Sequence, residues 1–157
     1  MAGAMAQGGN ELELARTLWT EILTDTNDSS IRTNAQQRLA SINSDEAVIQ
    51  LQKRVDAYKE HFGQKPSSMR DVVTAGLLRG IPTDPAGNPY LIDSYGEVVV
   101  KDPKKLPFIT KGLAHGMMPS VIYNRYVVEE QRKKQAEEDK KKEEDKESPG
   151  DKQRPTQ

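Results

Sequence analysis

The chain predicts an α+β fold: a helical hairpin, a long seamed helix, a short helix, a small antiparallel β-hairpin, and a charged C-terminal helix or disordered tail. Three observations carry that prediction. Apolar residues recur at spacings of three and four from Leu12 to Phe62, the signature of helices with one apolar face. Two short apolar runs, Tyr90–Ile92 and Val98–Val100, flank a five-residue polar loop containing a glycine, which is a hairpin pattern. From Glu129 onward the sequence is almost entirely polar, so nothing there can build a core.

Residues 1–10, MAGAMAQGGN, are small, uncharged and Gly-rich, and are expected to form a flexible leader. Residues 11–43 are expected to form the hairpin. Its first helix, Glu11 to Thr24, carries Leu12, Ala15, Leu18, Trp19 and Ile22 on one face, with the only tryptophan in the middle. Trp19 reads first as a core anchor and second as an interaction residue that could stack on a partner. The cluster DTNDSS then supplies turn and N-cap residues, and a second helix is expected over Ser30–Ile42 with Ile31, Ala35, Leu39 and Ile42 inward.

Residues 44–120 are expected to form an α+β domain. Ser44 reads as the cap of a third helix, with Asp45 and Glu46 in its first turn, where acidic groups favour the helix dipole. Val48, Leu51, Val55, Tyr58 and Phe62 make a narrow seam, and Gly63 stops the helix. A short helix follows from Met69 to Ala75. In the string DPAGNPY, Pro85 suits the fixed-φ corner of a turn, Gly87 can take positive φ, and Asp84 can cap the turn with its own carboxylate. The Pro- and Gly-rich stretch 102–120 is expected to be irregular and to lie over the small sheet. Residues 121–147 form a charged helix in this reading, supported by Glu129–Lys133, Glu130–Lys134, Glu137–Lys141 and Glu138–Lys142 one turn apart. Residues 148–157 read as a disordered end.

Composition excludes several functions. The chain has no cysteine, so disulfides, thiolate metal sites and cysteine nucleophiles are excluded. Its net charge of -1 gives no field for nucleic acid, and the charges of the tail nearly cancel. No apolar run is long enough for a membrane span, and the first residues lack the pattern of a secretory signal. The compartment is left open. Only two histidines are present, His61 and His115, and neither sits in a nucleophile or metal motif. Asp84 and Asp93 flank the first strand at positions suited to turn capping rather than to paired acid–base work. No catalytic residue, cofactor or metal is expected.

One stretch resembles a known family. The string YKEHFGQKP, then SSMRDVVTAGLLRGIP, then TDPAGNPYLID is similar to the globular part of type II secretion major pseudopilins and their pilin-like relatives. The matching residues are Tyr58, Gly63, Pro66, Leu77, Pro82, Asp84, Pro85, Gly87, Asn88, Pro89 and Tyr90, in a region covering about a third of the chain. The resemblance implies a helix leading into a small antiparallel sheet, and an assembly role. In that frame Asp84, Pro85, Gly87, Asn88, Pro89 and Tyr90 are structural turn residues. The chain departs from the family in lacking a prepilin peptidase site and an apolar first helix; a membrane anchor would have to lie in a segment upstream of this sequence. The family's calcium loop corresponds to KDPKKLPFITKGLAH, with one carboxylate and four lysines, so calcium is not expected. The upstream pair of helices also resembles, less completely, the edge of a tetratricopeptide array.

The function expected from the sequence is therefore protein–protein interaction or assembly in the manner of a pseudopilin's soluble part. The alternative is the C-terminal end of a tetratricopeptide-like adaptor, with a hydrolase-type enzyme a distant third. Trp19 and Tyr95 are the candidate interaction residues, and the partner is expected to be a protein.

Overall fold

Three helices and a two-stranded sheet make the body of the computed structural model, which describes residues 3–147. The elements are α1 (Gly3–Asp25), α2 (Ser29–Phe62), α3 (Met69–Thr74), β1 (Leu91–Ile92), β2 (Val98–Val99) and α4 (Ser120–Glu147). A 3-10 turn at Pro103–Lys105 follows β2. The α+β class expected from the sequence is what the chain adopts, and no helix is long and apolar enough to cross a membrane among the described residues. The expected disordered end at 148–157 lies outside the described residues.

Helix α1 starts at Gly3 rather than Glu11, so residues 3–10 are helix and not a flexible leader. Ala4, Met5, Ala6 and Gln7 are good helix formers and extend α1 backwards despite Gly8 and Gly9. Asp28 begins α2: its extended backbone and its carboxylate, which accepts from Ser30 N–H at 2.8 Å and Ile31 N–H at 3.1 Å, form the N-cap.

The largest departure from expectation is that α2 does not break at Ser44. The two helices predicted over 30–42 and 44–62 are one helix of 34 residues. Asn43, Ser44 and Asp45 look like capping residues, yet each is used across the fold. Asn43 accepts from Arg16 of α1, Ser44 Oγ accepts from the buried Tyr90 hydroxyl at 3.3 Å, and Asp45 holds the backbone of Thr110 and Lys111. Polar side chains turned outward to tertiary donors leave the helical backbone intact. Gly63, at φ 69°, ends α2 where expected.

The seam of α2 holds the core over Val48, Leu51 and Val55, which are buried, and then runs out. Tyr58 is half-buried and Phe62 is 48% exposed. Met69 and Val72 of α3, Tyr90, Val98, Val100, Leu106 and Ile109 complete the cluster. The strands are one residue shorter than predicted. Tyr90 N–H bonds to Pro82 O at 3.3 Å and Val100 N–H to Gly112 O at 2.7 Å, so both flanking residues leave the ladder. Register pairs Leu91 with Val99 and Ile92 with Val98, antiparallel.

Two five-residue loops, Asp84–Asn88 and Asp93–Glu97, are built alike. In each, the Asp carboxylate accepts from the N–H groups two and four residues on, at 2.8 and 3.0 Å in the first and 2.9 and 2.9 Å in the second. In each, the Asp N–H bonds the carbonyl four residues on, and the glycine at the fourth position has positive φ, 86° at Gly87 and 75° at Gly96. The pattern D-x-x-G-x thus encodes one turn twice. Asp84, Gly87 and Asn88 are turn residues, with Pro85 at the corner; Pro89 makes an isolated bridge to Thr83, and Tyr90 is a packing residue.

The chain divides into two compact units, Met1–Val121 and Ile122–Gln157. In the second, the described side chains from Glu129 to Glu144 are exposed, and Lys134 pairs with Glu130 at 3.8 Å one turn away. None of these side chains belongs to the apolar cluster. Ending the chain after Val128 should therefore leave the melting temperature within about 2 °C of the full chain, since exposed pairs of this kind contribute little. A calorimetric scan showing a drop several times larger would refute this.

Candidate interaction site

The flank of α2 that faces α1 is not fully covered. The face expected on α1 is divided in the structure: Leu12, Ala15, Trp19 and Leu23 are half-buried toward α2, while Leu18 and Ile22, expected inward, are 51% and 37% exposed. With Leu14, at 62%, they form a row at spacings of four on α1. The reason is geometric. A single neighbouring helix covers an arc of α1 about one side chain wide, and Trp19 fills it.

Between α1, α2 and the segment 106–112 lies a groove of about 810 Å³. Its floor is apolar, formed by Leu12, Ala15, Ile42 and Ile49. At one end the Arg38 guanidinium carbon lies over two aromatic rings, 5.1 Å from the Trp19 centroid and 3.7 Å from that of Phe108. This is cation–π geometry with each ring. Trp19 is thus neither a plain core anchor nor a free stacking platform. It is one wall of an arginine clamp.

Two of the groove's three carboxylates, Glu46 and Asp45, are engaged. Glu46 pairs with Arg16, which also reaches Asn43, and this fixes α1 on α2. Asp45 is buried and accepts from Thr110 N–H at 3.0 Å, Thr110 Oγ at 2.8 Å and Lys111 N–H at 2.9 Å. Burial pushes the Asp45 carboxyl above its ordinary value, and the Thr110 and Lys111 bonds offset part of that rise. Burial likewise pushes the Tyr90 hydroxyl up, against the Ser44 bond, so it stays neutral and donates.

Tyr95 lies on the second loop, 60% exposed, stacked on His115 with ring centroids 4.0 Å apart. His115 Nδ1 is 3.6 Å from Glu97. This corner borders a shallower groove lined by Gln52, Lys59, Tyr95 and Glu97, which shares Ile49, Lys53 and Lys111 with the first. Trp19 and Tyr95 therefore line two adjoining grooves along one flank of α2. His61 packs edge-on against Phe62, ring centroids 4.7 Å apart, and lines neither groove. Among the described residues, no group of three His, Asp or Glu side chains could hold a metal ion.

The outer edge of β2 is closed by side and main chain. Gln52 accepts from Val98 N–H at 2.8 Å and donates to Gly96 O at 3.3 Å, mimicking a strand, and Gly112 O takes Val100 N–H. Comparison with protein-family models, curated proteins and solved structures finds no match. The site's chemistry therefore rests on its own geometry. Arg38, Phe108 and Lys111 were invisible in the sequence because no periodicity links a helix residue to an irregular segment seventy positions away.

Proposed function

We propose that this chain is a non-enzymatic protein–protein interaction and assembly module, resembling the soluble part of a type II secretion pseudopilin. The observation that carries the reading is the exposed row Leu14, Leu18 and Ile22 on α1, with Ile31, 47% exposed, at the start of α2. Taking a large aliphatic side chain from full exposure to full burial is worth roughly 1.5–3 kcal/mol, so a partner covering these half-exposed side chains gains about half of that at each. The likeness of the Tyr58–Tyr90 residues to pilin-like proteins supports an assembly role.

A second reading has its own support. Helices α1 and α2 form an antiparallel hairpin whose first helix is apolar on both the α2-facing side and the outer side. That is the surface a neighbouring helical pair would cover in a tetratricopeptide-like adaptor.

Replacing Leu18 and Ile22 together by serine tests the module. The inward residues Leu12, Trp19 and Leu23 are untouched, so the melt should be preserved. Affinity isolation from the source cells should lose the partner held by the native chain; an identical set of copurifying proteins would refute the reading. A Tyr95→Ser chain separates the alternatives. The pilin-like reading expects weakened assembly from it, and the adaptor reading expects loss only from the α1 double substitution.

A further inference from the structure

Arg38 occupies a position that folding alone does not explain. Its ring-clamped guanidinium has a buried Nε–H with no acceptor, and among the described residues no carboxylate lies within ion-pair reach of it. A partly desolvated cation without a counter-charge is costly and is seldom kept without use. Lys53 and Lys111, further along the same groove, are also without an ion-pair partner among the described residues. Of the groove's own carboxylates, Asp45 and Glu46 are already engaged, and Glu11 has no ion-pair partner among the described residues.

We infer that the groove along α2 is a docking site for an acidic peptide segment of a partner protein, with Arg38 as its carboxylate anchor. Only Nε of the guanidinium is buried without a partner, and the terminal Nη groups, which make no ion pair among the described residues, can take a carboxylate side by side. The floor of Leu12, Ala15, Ile42 and Ile49 takes an apolar side chain of the same segment. From Arg38 to Lys53 the helix rises roughly 22 Å, a length that about seven extended residues span. A segment of alternating acidic and apolar residues meets both requirements, carboxylates to the cations and side chains to the floor. This inference rests on the interaction-module reading and names the chemistry of one partner segment.

Trp19 is the only tryptophan, so its fluorescence reports the groove directly. The probes are capped octapeptides alternating glutamate with leucine, in both registers, and the same peptides with glutamine for glutamate. At low ionic strength the glutamate peptide should give a saturable change in at least one register, with binding at least tenfold weaker for the glutamine form. Arg38→Gln should weaken glutamate-peptide binding at least tenfold, Arg38→Lys less, and Lys53→Gln about threefold. Lys53 is solvent-exposed, so its variant keeps the test valid if Arg38→Gln melts early. No binding in either register, or equal binding of the two peptide forms, or indifference to both Arg38→Gln and Lys53→Gln, would overturn the inference. Sedimentation velocity distinguishes a further occupant: self-association abolished by Arg38→Gln would make the ligand a second copy and the acidic-peptide inference wrong. Each of these failures leaves the module reading to its own test, the Leu18 and Ile22 substitution.

Discussion

Asp45→Ala is expected to lower the unfolding free energy by about 2–3 kcal/mol, while Asp45→Asn stays within about 1 kcal/mol of the native chain at neutral pH. The carboxylate hydrogen-bonds the irregular segment to α2, beside the Arg38–Phe108 stacking and the core packing of Leu106 and Ile109. It holds two consecutive backbone N–H groups and the Thr110 hydroxyl, and just before them Leu106 and Ile109 enter the core. Alanine leaves those donors without their acceptor and loosens the lid over Val98 and Val100. Asparagine keeps the geometry. Its Oδ1 can accept from Thr110 and Lys111 N–H, and its amide can donate to Thr110 Oγ. Urea titration of the three proteins decides the matter, and equal losses for alanine and asparagine would refute it.

The same residue gives a pH dependence with a definite sign. Burial raises the folded-state value above the ordinary 3.8. The folded chain therefore binds this proton more tightly than the unfolded one. The resulting stability is fully present below pH 3.8 and is lost as pH rises through the folded-state value. Relative to Asp45→Asn, the native chain should gain stability as pH falls from neutral towards 3.8, the other carboxylates cancelling in the comparison. A difference that shrinks on acidification would mean that the hydrogen bonds outweigh burial.

Local chemistry was legible in this sequence and tertiary use of polar residues was not. The Asp84 turn could be read because its proline, glycine and carboxylate each act on their own backbone, within five residues. The stop at Gly63 is equally local. The false break at Ser44 arose from the same rule misapplied. Ser44 and Asp45 are typical of helix starts, but their partners Tyr90, Thr110 and Lys111 are far along the chain, and only folding brings them near. Likewise the spacing on α1 grouped Leu18 and Ile22 with Trp19 on one face, which the structure divides. It could not tell how wide an arc α2 would cover. The candidate groove needed three segments at once, and only α1 and α2 left a trace in periodicity.

Gly112→Ala should be one of the most damaging small substitutions in the chain, costing about 2–4 kcal/mol, while Gly87→Ala costs about 1 kcal/mol. Both glycines have positive φ, 74° and 86°, so both substitutions impose backbone strain. They differ in what a methyl group would meet. At Gly87 nothing lies within 4 Å, so the strain stands alone, and Gly87→Val adds to it only the stiffness of a branched side chain. At Gly112 the new carbon would sit 2.9 Å from Val100 Cγ2 and 3.0 Å from Val48 Cγ2. Neither valine can retreat, because Val48 belongs to α2 and Val100 is anchored through its N–H to the Gly112 carbonyl itself. The clash falls on the contact that this bond holds together, between the irregular segment and the outer edge of β2. Combining Gly112→Ala with Val100→Ala should recover part of the loss beyond additivity, since the second change removes the methyl group that the first one strikes. Thermal melts of the two single substitutions and the pair would show this coupling. Equal costs at Gly87 and Gly112, or strict additivity in the pair, would mean that the segment moves away freely and that the close approach is not what requires glycine there.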